Sequence, residues 1–390
     1  MKKLKIISVD GVIDSRANPG GAVEGLRLLT RDLCPDRFEF SVCCTFPSSR
    51  SDIYSKAGAQ VFTRASSVES ISHYRPLFRI RGGRCLMKYL LARRLLKILR
   101  SQRPDVLHIN LMRKWDCFDF RAARRLGIKT IGHMRSLSEQ ASVASQDIAA
   151  CDTVICISKV VEQQVKDLYP DANTTLIYNG VDPALYDVDM TVQDSRHLLS
   201  LPHNKDYYLF SIGALHPRKG HESAIRALAE IRNSGLDAVL SVVGATQLAE
   251  NRAEFDRLTK IALQSGVSEH VVFLGQVNEM HLVYRAADLV YALSHDGEAF
   301  GRVPIEAAFG RVPVMATGVG ATPEIIQDNI TGFLVGPGNI QEIKAKSIKV
   351  LTNTVLYGVI IERAEEYAHQ NFRSVICAER TGALFTKLCL

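Results

Sequence analysis

Short apolar segments rich in β-branched residues alternate with helix-length stretches along almost the whole chain, and this rhythm leaves few folds open. In the first half the strand-like segments fall at 4–9, 38–45, 60–63, 106–109, 130–133, 153–158 and 175–178. Helix-like stretches separate them, among them 21–33, 85–100 and 159–168. Most of these strands lack polar alternation, as strands buried on both faces must, so the pattern predicts a doubly wound parallel sheet. After a polar stretch at 187–206, in a linker near 182–206, the rhythm resumes, with strands at 208–212, 238–243, 271–274, 289–292 and 312–316. The fold class is therefore α/β, with two Rossmann-like domains in tandem. A length of 390 residues accommodates both. The boundaries read as 1–186 and 187–370, with 371–390 a terminal helix that packs back on the first domain.

The commonest use of such a sheet fails at once. A dinucleotide fold needs Gly-x-Gly-x-x-Gly directly after its first strand. Here that strand runs into Asp10-Gly11-Val12-Ile13-Asp14-Ser15-Arg16-Ala17-Asn18-Pro19-Gly20-Gly21, and no Walker loop occurs anywhere. No run reaches the roughly 18–20 apolar residues that span a bilayer. The first residues enter a strand with no secretory pattern, and the nine cysteines are scattered without a Cys-x-x-Cys pair. Both point to the cytoplasm rather than to zinc or a disulfide framework. The net charge of +7 is lopsided: residues 1–190 hold 29 Lys and Arg against 20 Asp and Glu, the remainder 19 against 21. The first domain is thus expected to meet something anionic. The stretch 71–104 concentrates this charge, with ten basic residues and no acidic one. Within 75–103, apolar residues interleave at roughly helical spacing, which suits a helix lying on an anionic membrane or gripping an anionic acceptor. No nucleic-acid module accompanies it.

The densest chemistry lies in His295-Asp296-Gly297-Glu298-Ala299-Phe300-Gly301-Arg302-Val303-Pro304-Ile305-Glu306-Ala307-Ala308. It follows a strand, and Pro304 suits the first turn of a helix. The amides of Gly301, Arg302 and Val303 would then sit at a positive helix end, a seat for phosphate. Glu298 and Glu306 can both aim into one crevice, where carboxylates accept hydrogen bonds from sugar or ribose hydroxyls. The competing reading is a surface loop with a helix-capping glutamate.

This stretch resembles the signature of the retaining, GT-B-fold glycosyltransferases of family four, in which two glutamates flank a Phe-Gly and precede a Glu-Ala helix. The resemblance implies that Glu298 contacts the transferred sugar and Glu306 the ribose, with Phe300, Gly301, Arg302 and Val303 lining the donor. Gly310-Arg311-Val312-Pro313-Val314, Gly318-Val319-Gly320-Ala321-Thr322-Pro323-Glu324 and Asn329-Ile330-Thr331-Gly332-Phe333 are similar to further landmarks of that family. So is Gly213-Ala214-Leu215-His216-Pro217-Arg218-Lys219-Gly220, whose cations neutralise the leaving diphosphate. Ala214 replaces the family's usual arginine, and Arg218 beside Lys219 implies the substitute. Near the start, Gly20 and Gly21 resemble the family's glycine loop, where the backbone approaches the donor phosphate. His133, ending a strand, matches a histidine beside the transferred sugar, although Met134-Arg135-Ser136 departs from the common His-Asp.

The resemblance implies no cofactor and no metal: the donor is a nucleoside-diphosphate sugar, and fixed cations do a metal's work. The acceptor is a glycan or lipid-linked molecule, in cell-surface polysaccharide synthesis by family habit. A nucleotide-sugar epimerase on the same architecture, or an inactive binding module, are the alternatives.

Overall fold

The computed structural model describes residues 2–10, 20–65, 83–113, 116–137, 145–245 and 249–390. Two compact units emerge, one formed by residues up to Gly180 together with Ser374–Leu390, the other by Val181–Arg373.

The first unit is built on seven strands: β1 (Leu4–Asp10), β2 (Phe38–Cys44), β3 (Gln60–Thr63), β4 (Val106–Ile109), β5 (Lys129–Met134), β6 (Thr153–Cys156) and β7 (Thr174–Leu176). All pair in parallel, in the order β3-β2-β1-β4-β5-β6-β7. The order reverses between β1 and β4, the switch point at which such sheets hold ligands. All four residues of β4 and of β6 are buried, which explains why neither alternates polar with apolar. Helix Lys159–Leu168 starts where Ser158 Oγ accepts from the Val161 amide at 3.2 Å, and buries Val161 and Val165 four apart.

The second unit carries β8 (Tyr207–Ile212), β9 (Ala238–Val243), β10 (Val271–Gly275), β11 (Leu289–Ala292), β12 (Val314–Thr317) and β13 (Phe333–Val335). Their order is β10-β9-β8-β11-β12-β13, again all parallel. Helix His221–Asn233 buries Ala224, Ile225, Ala227, Leu228 and Ile231 on one face, against Leu209, Leu240 and Leu289 of the sheet.

The division falls at 180/181 rather than at the expected 186/187, because Val181 already pairs with the second unit. Its amide donates to Phe372 O at 2.8 Å, and it bridges Arg373. The same contact moves the second boundary from 370 to 373. Beyond it, helix Ser374–Cys389 packs on helix Gly21–Asp32 of the first unit. Phe385, fully buried, meets Phe38 edge-on at 6.1 Å and joins Leu26, Leu29 and Leu33 in one core. β12 begins two residues later than its apolar run, since Val312 donates to Ala307 O and closes the preceding helix instead. The three-residue edge strand β13 was not foreseen. No helix among the described residues is long and apolar enough to cross a membrane.

Candidate active site

In the second unit, chemistry gathers where β8 and β11 end. Past β8 the chain forms a short 3-10 turn, Pro217–Lys219, in which His216 Nδ1 accepts from the Arg218 amide at 3.2 Å. Gly220 follows with φ of 70°, and a Cβ there would lie 1.8 Å from Leu293 O. Only glycine lets this loop lie flat on the end of β11. The His295 amide donates to Arg218 O at 2.8 Å and stitches the two loops together.

This stitching delivers Arg218 and Lys219 to Glu298. Glu298 Oε1 accepts from Lys219 Nζ, from Ser294 Oγ at 2.9 Å and, more weakly, from Arg218 Nη1 at 3.4 Å. The side chain of Glu298 is 21% exposed. Burial pushes its carboxyl upward, but Lys219, Ser294 and Arg218 outweigh burial and hold it below the ordinary glutamate range. It is therefore a carboxylate at neutral pH, and with its two cations it forms a cluster of net charge +1. The backbone of Glu298 is fixed too: the Ala321 amide donates to Glu298 O at 2.8 Å, and Glu298 bridges Gly320. Ser294 is anchored in turn by Thr317 Oγ1, which donates to its carbonyl at 2.5 Å.

Glu306 stands in helix Val303–Phe309, preceded by Gly301 at φ of 77°. Tyr284 Oη donates to its Oε2 at 2.8 Å and Arg302 Nε to its Oε1 at 2.9 Å. Burial first, and then the neighbouring Glu306 charge, push the Tyr284 phenol far upward, so Tyr284 stays a donor. Each Glu306 oxygen keeps a lone pair for a further hydroxyl. Phe300 is buried and packs edge-on to Phe372 at 6.0 Å, which fixes the loop between the glutamates. Arg302 is thus a brace for Glu306, a role the sequence did not suggest.

In the first unit, Gly20 caps helix Gly21–Asp32, its carbonyl accepting from the Val23 amide at 2.9 Å. Among the described residues, a Cβ on Gly20 would meet nothing within 4 Å. Asn18 and Pro19, which precede it, lie outside the described residues. His133 is the last residue but one of β5, which runs one residue past the expected end, and it is 1% exposed. His108 Nε2 and Arg135 Nη2 approach His133 Nδ1 at 3.1 and 3.2 Å, while Ser8 Oγ meets His108 Nδ1 at 2.9 Å. Burial, then the Arg135 charge, lowers both imidazoles, His108 to about 3. Both rings are neutral at pH 7. His133 Nε2 has no hydrogen-bond partner among the described residues. It lines a small cavity with Gly25, Leu29, Cys377 and Thr381. His133 is thus buried, with Nε2 turned to that small cavity. Arg135 instead links this pair outward, donating to Asn110 Oδ1 at 2.9 Å and to Asn179 Oδ1 at 2.5 Å. Asn110 Nδ2 then donates to Ala22 O at 2.9 Å, tying β4 to the glycine-started helix.

Ser294, Tyr284, Thr317, Asn110, Arg135 and Asn179 carry these clusters, and sequence reasoning assigned none of them a role. Ser294, four residues before Glu298 at a strand end, offered a positional hint. Tyr284, 22 residues from Glu306, offered none. Among the described residues, no three His, Cys, Asp or Glu side chains gather as metal ligands. Arg75, Arg79 and Arg81, and the side chain of Arg84, lie outside what is described.

Two doubly wound parallel units, the second carrying a cation–carboxylate cluster on its strand ends, make up the GT-B fold. Residues 199–367 match the family described as Glycosyl transferases group 1, and residues 19–185 match Glycosyltransferase Family 4. The two matches together take in most of the chain, which belongs to this glycosyltransferase family. Among curated relatives, N-acetyl-alpha-D-glucosaminyl L-malate synthase of Bacillus anthracis is 26% identical over 73% of this chain and 75% of its own. The chain spans about half the length of several other curated relatives, from 49% to 60%. In fold, a glycosyltransferase from Rickettsia africae superposes with a TM-score of 0.83 at 17% identity over 99% of each chain. The Anabaena HepE protein in complex with UDP and glucose gives 0.78 at 21% identity, over 98% of this chain and 99% of that one.

Proposed function

We propose that this protein transfers a hexose-type sugar from a nucleoside-diphosphate sugar to a glycan or lipid-linked acceptor, retaining the anomeric configuration and needing no metal ion. The observation that carries the reading is the Glu298 cluster. Lys219 and Arg218 are immobilised on one carboxylate, at a strand end, in the half that matches the group 1 family. Departure of the nucleotide leaves negative charge on its terminal phosphate, and prearranged cations stabilise that charge without reorganising. Glu298 keeps its second oxygen for a sugar hydroxyl, and Glu306, braced by Tyr284 and Arg302, takes the ribose hydroxyls. Retention follows if the acceptor attacks on the face the nucleotide leaves, with Glu298 steadying the sugar. His133 enters as a positioning residue, orienting Arg135 rather than touching the sugar. Nine free cysteines accord with action in the cytoplasm. An N-acetyl-alpha-D-glucosaminyl L-malate synthase relative supports the hexose-type sugar, and a fold neighbour in complex with UDP and glucose supports the nucleotide-sugar donor.

The test incubates the protein with a panel of nucleotide sugars and candidate acceptors and measures nucleoside diphosphate released. Release should depend on acceptor, persist in EDTA and fall at least tenfold in turnover for Lys219→Ala, as about 1.4 kcal/mol of lost transition-state stabilisation requires. Epimerised donor without acceptor consumption, or activity restored only by added magnesium or manganese, would refute the reading.

A further inference from the structure

Away from these strand ends, the first unit carries a second charged feature, between helices Gly83–Gln102 and Cys117–Arg124. A groove of about 700 Å³ runs between them. On one wall stand Arg93, Lys97 and Arg100, at i, i+4 and i+7 of the longer helix. On the other stand Arg121 and, just past the helix end, Arg125. Among the described residues, none of the five has an ion-pair partner and no carboxylate lines the groove. The two acids at the start of the shorter helix are already consumed. Asp116 and Asp119 are buried, Asp116 bound by Lys88 at 2.5 Å and Asp119 by Arg64 at 2.7 Å. Like charges stacked along and across a helix pair repel one another, so the groove gains stability when an anion enters it.

The form of the charge says which anion. A single phosphate is gripped where donors converge on one point. Here the cations spread over about 10 Å of helix, seven residues at 1.5 Å each. At its N-terminal end the helix exposes Leu86 at 46% and Tyr89 at 45%, Tyr89 held edge-on to Phe118 at 5.8 Å. Spread cations beside an exposed aliphatic and an exposed tyrosine match the headgroup boundary of a bilayer. We propose that this groove is a docking surface for the phosphates of an anionic phospholipid membrane. The charge-rich stretch foreseen at 75–103 therefore acts through its helical half, joined by two arginines from a helix the sequence did not connect with it.

Co-sedimentation of the full chain with vesicles tests this without donor or acceptor, so its outcome is independent of sugar transfer. The protein should pellet with equimolar phosphatidylglycerol and phosphatidylcholine, release as salt rises, and ignore phosphatidylcholine alone. Each neutralised charge should weaken binding about fivefold, so the variant R93Q/K97Q/R100Q/R121Q/R125Q should stay in the supernatant. Its thermal midpoint should be no lower than the parent's, since the mutual repulsion is relieved and glutamine keeps the helix, and its donor binding should match, since all five side chains lie outside the donor cluster. Pelleting by that variant equal to the parent's overturns the groove, as does loss of binding in R75Q/R79Q/R81Q/R84Q alone. Parent protein that ignores anionic vesicles but binds inorganic tripolyphosphate through these five residues would assign the groove to a soluble anion and sink the membrane proposal.

Discussion

Glu298 shows how a single residue can be legible in type and illegible in setting. Its spacing from Glu306 announces it, but its charge state is decided by Lys219, Ser294 and Arg218, which fold onto it from two loops. Because folding holds this carboxyl below its ordinary range, the ionised group adds stability above about pH 4.3 and loses that contribution as acid protonates it. Glu298→Gln should therefore be less stable than the parent by about 1–2 kcal/mol near neutrality. The gap should close below roughly pH 4, and thermal unfolding at pH 7 and in acid measures both. Glu306 makes a different prediction, since its neighbours are a phenol and a guanidinium. Glu306→Ala should weaken nucleoside diphosphate binding by about 1–3 kcal/mol, the worth of hydrogen bonds to a charged group. Calorimetric titration with the bare nucleotide checks it, and unchanged affinity would mean the ribose is held elsewhere.

At the scale of elements, propensity and burial agree almost everywhere, and the exceptions are informative. Strands such as β9, buried along all six residues, read clearly because a two-faced core takes mostly apolar side chains, Ser241 being the one polar residue in β9. β13, three residues at the sheet edge, had too little sequence to declare itself. The helix seen at 85–100 in the sequence runs over Gly83–Gln102, with Met87, Leu91, Leu95 and Leu99 as its buried stripe. What its periodicity could not say is that the opposite face would meet Arg121 and Arg125. Helix Thr354–Asn371 carries one avoidable weakness, Gly358, where an added Cβ would touch nothing within 4 Å. Gly358→Ala should stabilise the second unit by about 0.5–1 kcal/mol, because alanine loses less backbone entropy in a helix. A rise in thermal midpoint with unchanged donor binding is the expected result.

For the whole molecule, the last helix matters as much as the first strand. Ser374–Cys389 returns to the first unit and completes its core through Ala378, Leu384 and Phe385. Phe385→Ala should cost that unit about 3–5 kcal/mol, as a large cavity in a packed core does. Nucleotide binding by the second unit should survive, and denaturant melts read beside nucleotide titrations would separate the two. Apolar segments alternating with helices announced two doubly wound sheets because strands buried on both faces are predominantly apolar whatever surrounds them. The motif around Glu298 was equally legible, because its residues are neighbours in the chain and strand ends collect chemistry in this fold. Only the tertiary structure buried His133 behind Arg135, placed Tyr284 on Glu306 and Ser294 on Glu298, and joined two helices into one basic groove. Such contacts follow from how finished elements pack against each other. Local periodicity tells which face of a helix turns inward, never what stands opposite the face left outside.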